Sequence, residues 1–181
     1  FADIIFKGLL LMTMGAVLLR VGHVKASDLG ALYKSMPFTT FFCLIGAASI
    51  SAFPLFSAFI TKSMVITEAA DRPVLWMILM FASAGVLHHA GIKIPFYGFF
   101  GPDRGLRCKE APLNMLFAMA IAATLCVGIG SSPTLFYSLL PYETGYEDIV
   151  YATAHVVPQL QLLFFAILAF IVLKLKDIEP H

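Results

Sequence analysis

Charge is scarce in this chain: 13% of its 181 residues are Asp, Glu, Lys or Arg, where an ordinary soluble domain carries about a quarter. That shortage excludes a solvated globular surface of the usual kind. An excess of either sign is missing as well. Twelve basic residues stand against eleven acidic ones for a net charge of +1, so no basic field is present to hold nucleic acid. Cysteine is sparse: Cys43, Cys108 and Cys126 form no CxxC pair and no Cys/His spacing that would ligate a metal. GxSxG and HExxH are absent, as is any soluble-cofactor motif, so an intramembrane enzyme is the weakest functional class and neither cofactor nor metal is expected. The apolar run that opens at Phe1 has no initiator Met, basic n-region or small-residue cleavage site, and the chain reads as a fragment of a longer protein.

What fills the sequence instead is hydrocarbon, since 60% of the residues are hydrophobic. Several runs approach the ~20 residues a helix needs to cross about 30 Å of bilayer. They predict a single all-α transmembrane domain, a polytopic bundle of about five spans embedded in membrane lipid. The first run ends at Val21. A second extends from about Pro37 through Pro54 to about Ala69, too long for one simple crossing, and is expected to be discontinuous at Pro54. The third covers roughly residues 74–100, the fourth 113–129 and the fifth 153–175. Lysines and arginines set the orientation: Arg20, Lys25 and Lys34 follow span one, Arg104, Arg107 and Lys109 follow span three, and Lys174 and Lys176 follow span five. Those ends, the C-terminus included, are expected to be cytoplasmic. The intervening loops agree, for only Arg72 accompanies Asp71, and "YETGYEDI" holds Glu143, Glu147 and Asp148 with no basic residue.

Charges inside the runs are the functional candidates. Pro54 lacks an N–H, which leaves the Ile50 carbonyl without its helical donor at a cost of about 3 kcal/mol. Transporters use such breaks to bring dipoles and water to mid-membrane depth; a packed proline kink is the plainer alternative. Lys62 lies eight residues, about two turns, beyond the proline among Phe59, Ile60, Met64 and Val65. A lysine at the bilayer centre costs about 2.5–3.5 kcal/mol and typically marks an ion or proton route; the alternative is a stem that snorkels to the interface. In the first span Asp3 and Lys7 share a face at i, i+4, as a relay pair or as an interfacial structural one. In the third, an apolar stretch from Val74 to Leu87 runs into His88, His89 and Lys93, either proton carriers or residues of the cytoplasmic interface. A lysine that relays protons must release as well as load, and apolar surroundings favour release.

Three motifs in order then carry a family resemblance. "FKGLLLMTMGAVL" follows, from Phe6 to Leu18, a helix of the form His-Ala-x-x-x-Lys-Ala-Leu-Leu-Phe-x-x-Ala-Gly-x-Val. "LYKSMP", Leu32 to Pro37, matches Leu-x-x-Lys-x-Met-Pro. "FCLIGAASISAFPLFSAFITK", residues 42–62, compares with Phe-x-Ile-Gly-x-x-Ser-x-x-Gly-x-Pro-Pro-x-x-Gly-Phe-x-x-Lys. The chain thus resembles the proton-conducting antiporter-like family, which includes the D-type subunits of Mrp-type cation/proton antiporters and the antiporter-like subunits of complex I and membrane hydrogenases. Residues 88–115 and 153–170 look most like the D-type branch. Leu55 replaces the second proline and Ala58 a glycine, so a milder break is expected here, and Asp3 stands near where relatives have a histidine.

The resemblance implies the second inverted-repeat half plus C-terminal helices of a prokaryotic inner-membrane protein. It implies other subunits of a membrane complex as partners, and protons, with Na+ or K+ in the antiporter case, as the ions moved. Lys62 becomes the terminal proton-transfer group in a broken helix, and Lys7 a member of the mid-membrane polar chain. The leading expectation is a proton-translocating subunit of a cation/proton antiporter or of a redox-coupled pump such as an NADH-quinone or hydrogenase complex. The alternative is a non-conducting assembly subunit of the same kind of complex.

Overall fold

The computed structural model describes residues 1–141, 145 and 149–178, with side chains through residue 174. Among the described residues the chain is all-helical: α1 (Ala2–Val21), α2 (Pro37–Ile50), α3 (Ser57–Glu68), α4 (Pro73–Phe100), α5 (Leu113–Ser131), the short α6 (Pro133–Tyr137) and α7 (Thr153–Ile178). Four of these, α1, α4, α5 and α7, are long and apolar enough to cross a membrane. The remaining crossing is divided. With 14 and 12 residues, α2 and α3 reach about 21 and 18 Å at 1.5 Å per residue, and neither spans the ~30 Å core alone. The polytopic bundle with a discontinuous second span is therefore the observed fold.

At its centre α1, α2 and α5 pack together, and α3 closes against α5. Leu9, Leu10 and Val17 of α1, Cys43 and Ala47 of α2, and Met119, Ala123 and Cys126 of α5 are among the core residues. Gly46 matters there: a Cβ at that position would stand 3.0 Å from the Leu10 side chain, the close approach that small residues give helices in lipid. The first half of α4, Pro73–Val86, buries no residue, whereas its second half joins the core through Phe99.

One end of the bundle gathers the basic residues. Arg20 Nε, in the last turn of α1, donates to the Glu110 carbonyl oxygen at 2.9 Å, and the Ala31 amide donates to the Gly101 carbonyl at 3.1 Å. Lys34 and Arg107 both pair with Asp103, at 3.5 and 2.8 Å. Hydrogen bonds from Arg107 and the Gly105 amide hold the Asp103 carboxyl well below the usual carboxylate range. Lys174 of α7 stacks over Phe96 and Tyr97 at the same end of α4. The three basic clusters thus sit together, as alternating spans require. Glu143, Glu147, Asp148 and the side chain of Lys176 lie outside the described residues.

Glu110 does more than lie in this loop. Its carboxylate accepts from the Phe38 amide at 2.8 Å and the Thr39 hydroxyl at 2.6 Å, satisfying donors that the start of α2 cannot satisfy internally, beside Pro37 in the first turn. Negative charge at a helix N-terminus is favourable in addition. Replacing Glu110 by Ala is expected to lower stability by about 1–2 kcal/mol, the cost of a lost N-cap, read as earlier thermal loss of helical circular dichroism in detergent.

Candidate functional site

The break between α2 and α3 is complete. Ser51 to Phe56 leave the helix, and α2 ends in a Schellman motif: the Phe53 amide donates to the Ala48 carbonyl and the Ala52 amide to that of Ser49, both at 3.0 Å. Ala52 takes the left-handed conformation (φ 53°) that glycine normally fills, and Leu55 does so too (φ 75°), at roughly 1–2 kcal/mol each. Leu55 and Ala58 do not keep the helix continuous. Chain direction is reset by two non-glycine residues in αL, and strain of this sort clusters at functional sites.

Surrounding elements hold the break in place. Ser49 and Ser57, on either side of it, are buried and share a hydrogen bond at 3.1 Å. Gly130 of α5 backs onto it so closely that a Cβ would fall 2.2 Å from the Leu55 carbonyl oxygen. Gly91 of α4 fits it likewise, since a Cβ there would meet Ser51 Oγ at 2.0 Å. Around Gly91 the helix widens into a π-turn, Leu87–Ile92, with a second at Phe96–Phe100 beyond Pro95. Proline removes an i→i−4 donor, and π-bulges absorb such interruptions.

Lys62 projects from the middle of α3, half-buried. Its Nζ donates to Ser83 Oγ on α4 and to Gln159 Oε1 on α7. Gln159 is 5% exposed, and its Nε2 donates at 3.0 Å to the Ser51 carbonyl in the unwound turn. One ammonium is thereby tied through one amide to the opened backbone, across three helices. The polar neighbour foreseen for the Ile50 carbonyl serves the next carbonyl instead. The Schellman turn carries the chain round so that Ser51, not Ile50, meets α7.

Two hollows meet at Lys62. A cavity of about 170 Å³ lies between α3, α4 and α7 and includes Thr67, His155, Pro158 and Gln159 in its wall. A groove of about 320 Å³ lies on the side of the break and includes Ile50, Ala52 and Ser83. An ammonium has three donors. Two are occupied, and the third is available to whatever fills these spaces.

The other candidates stand apart from Lys62. Asp3 and Lys7 do pair, at 2.8 Å, but on the outward side of α1 with about 60% of each side chain exposed; the paired reading holds and burial within this chain does not. His88 packs its ring against Phe170 and lies edge-on to the exposed His89, and Lys93 lines a separate groove with Met14 and Tyr97. The foreseen i, i+4 register of His89 and Lys93 falls where the helix has widened to i, i+5 spacing, and that alters which face each presents. Ser83 and Gln159 show in the sequence only as a serine and a glutamine inside apolar runs, the kind of polar residue that binds membrane helices together.

With this geometry in place, similarity to known proteins sharpens the picture. Residues 2–88 match the NADH:quinone oxidoreductase/Mrp antiporter transmembrane family. Hydrogenase-4 component B of Escherichia coli is 32% identical over 71% of this chain and 21% of its own length. The A-type subunit of the Na+/H+ antiporter of Alkalihalophilus pseudofirmus is 30% identical over 72% of this chain and 18% of its own. The chloroplastic NAD(P)H-quinone oxidoreductase subunit 5 of Nephroselmis olivacea is 31% identical over 68% and 19%. The chain spans about a fifth of the length of these curated relatives.

Proposed function

Because the chain belongs through residues 2–88 to the NADH:quinone oxidoreductase/Mrp antiporter transmembrane family, we propose that it is the proton-conducting portion of a membrane subunit in a multisubunit ion-translocating complex. The observation that supports this best is Lys62, an ammonium on a short half-helix, hydrogen-bonded to Gln159, which itself reads the unwound backbone at Ser51. A lysine bordering two separate hollows can load from one and release to the other. What it needs is a partner set that holds its nitrogen in either protonation state, and Ser83 and Gln159 qualify. A serine hydroxyl can donate or accept, and an amide keeps its place whether or not the lysine is charged.

In this reading protons arrive along α1 and α4, by way of Asp3 and Lys7 or of His88, His89 and Lys93, and Lys62 transfers them. Outside this chain, the rest of the subunit covers the outward side of α1, where the Asp3–Lys7 pair is exposed. The membrane field supplies about 2.3 kcal/mol per charge per 100 mV. The finer assignment is to a cation/proton antiporter of the Mrp kind, on the D-type likeness of residues 88–115 and 153–170, in a prokaryotic inner membrane with the basic end cytoplasmic. Na+ or K+ then moves in exchange for the proton.

A scaffold subunit that has lost conduction is the competing class. Replacing Lys7 and Lys62 together by Ala separates the two. Proton flux into everted vesicles, normalised to assembled complex, is expected to fall to background, and wild-type flux in the double variant would assign the chain to assembly alone.

A further inference from the structure

The cavity on the α7 side of Lys62 contains one more titratable group. His155 lines it one turn before Gln159, and its Nε2 lies 3.5 Å from Thr67 Oγ1. From this arrangement we infer that His155 is the proton carrier that follows Lys62, taking the proton across the cavity toward the end of the bundle where α3 stops and α7 begins. The inference rests on the proposed role of Lys62 and extends it by one residue.

Geometry sets the step. His155 and Gln159 are four positions apart, about 6 Å along α7, and Gln159 holds the lysine nitrogen. That interval is too long for one hydrogen bond and suits a bridge of water. At about 170 Å³ the space is large enough to hold water. Pro158 has no N–H, so the Ala154 carbonyl loses its helical donor, and both residues line the same cavity. The enclosure therefore has a lysine, an imidazole, a hydroxyl and a freed carbonyl to hold such water. Lys62 from α3 and His155 from α7 are the titratable side chains of its wall among the described residues, while α4 contributes Trp76 and Met80.

Thr67 fixes the direction of its own contact. The Thr67 hydroxyl donates to the Ser63 carbonyl at 2.8 Å, so its oxygen can only accept from His155, and Nε2 bears the hydrogen. In the transfer, Lys62 Nζ loses one proton to the adjoining water and returns to a neutral amine. The far water protonates the imidazole at Nδ1, and the imidazolium gives up that Nδ1 proton at the aqueous end of α7, returning to the Nε2–H form. No electrons move, and each group ends as it began after reloading.

The test uses the full-length subunit in its assembled complex, in everted vesicles with a pH-sensitive dye. Both His155→Ala and His155→Gln are expected to lower the initial proton flux per assembled complex about tenfold or more, since one positioned proton-transfer group typically contributes at least that. Added imidazole is expected to restore part of the flux in the Ala variant, where space has opened, and none in the Gln variant. Should the Ala variant fail to assemble, the Gln variant, which still donates to Thr67, decides by its flux alone. Wild-type flux in either assembled variant, or a loss in the Ala variant that imidazole does not restore, overturns the inference. Lys62→Ala run beside them tells the two readings apart: flux that depends on Lys62 but not on His155 removes His155 alone, and flux independent of Lys62 removes the conduction site itself.

Discussion

Lys62→Ala, in the intact complex, is expected to cut proton flux to about a hundredth of wild type or less, the scale set by losing a positioned proton-transfer group, while the complex assembles in normal amount. The two halves of that result have separate causes. Removing the ammonium leaves Ser83 Oγ and Gln159 Oε1 without their donor, but both side chains stay anchored. A helical serine can turn to its i−4 carbonyl, and Gln159 keeps its bond to Ser51. Against those small losses stands the removal of a charge that costs about 2.5–3.5 kcal/mol to insert at mid-membrane depth. Stability therefore holds or rises as transport disappears, a combination that a purely structural lysine would not produce. Lys62→Arg sharpens the point, because guanidinium stays charged at every physiological pH and cannot release. Flux in the Arg variant should be as low as in the Ala variant, and substantial flux there would show that deprotonation at this position is not part of the cycle.

The gross fold was open to reading from hydrophobic run lengths, because hydrocarbon forbids unpaired backbone groups and so leaves few alternatives to helices. Pro54 announced the break for the same reason that it makes one, the missing N–H. The form of the break was less legible. Ala52 and Leu55 carry no signature of left-handed backbone, and the close fit of α4 and α5 against the turn at Gly91 and Gly130 is a tertiary feature with no local trace. Lys62 was visible as a misplaced charge. Its partners were not, since Ser83 and Gln159 stand 21 and 97 residues away, and polar residues within apolar runs name no partner. Glu110, 72 residues from the amide it caps, is hidden for the same reason. Asp3 and Lys7 show the opposite limit: i, i+4 spacing fixed that they would pair, but not which side of α1 the core would occupy.

Gly130→Ala is expected to lower stability by about 3 kcal/mol, at the top of the usual overpacking range. The new Cβ would stand 2.2 Å from the Leu55 carbonyl oxygen and 2.5 Å from the Phe56 carbonyl carbon, and backbone cannot rotate aside as a side-chain tip can. Relief by peeling away the last turn of α5 is blocked, because the Tyr151 hydroxyl donates to the Gly130 carbonyl while the Tyr151 ring stacks on Phe59 at 5.4 Å. Displacing the turn instead moves Leu55 and Phe56, and with them the start of α3 and the position of Lys62 further along it. Gly91→Ala provides the contrast. Its Cβ would also be close, 2.0 Å from Ser51 Oγ, but that hydroxyl can swing away at the expense of its 2.6 Å bond to the Ala47 carbonyl, a net loss of about 1 kcal/mol. In thermal unfolding of the detergent-purified protein, Gly130→Ala should melt well below Gly91→Ala. The opposite order, or a Gly130→Ala variant that melts with wild type, would mean that α5 does not clamp the break and that the backbone at residues 55 and 56 is free to yield.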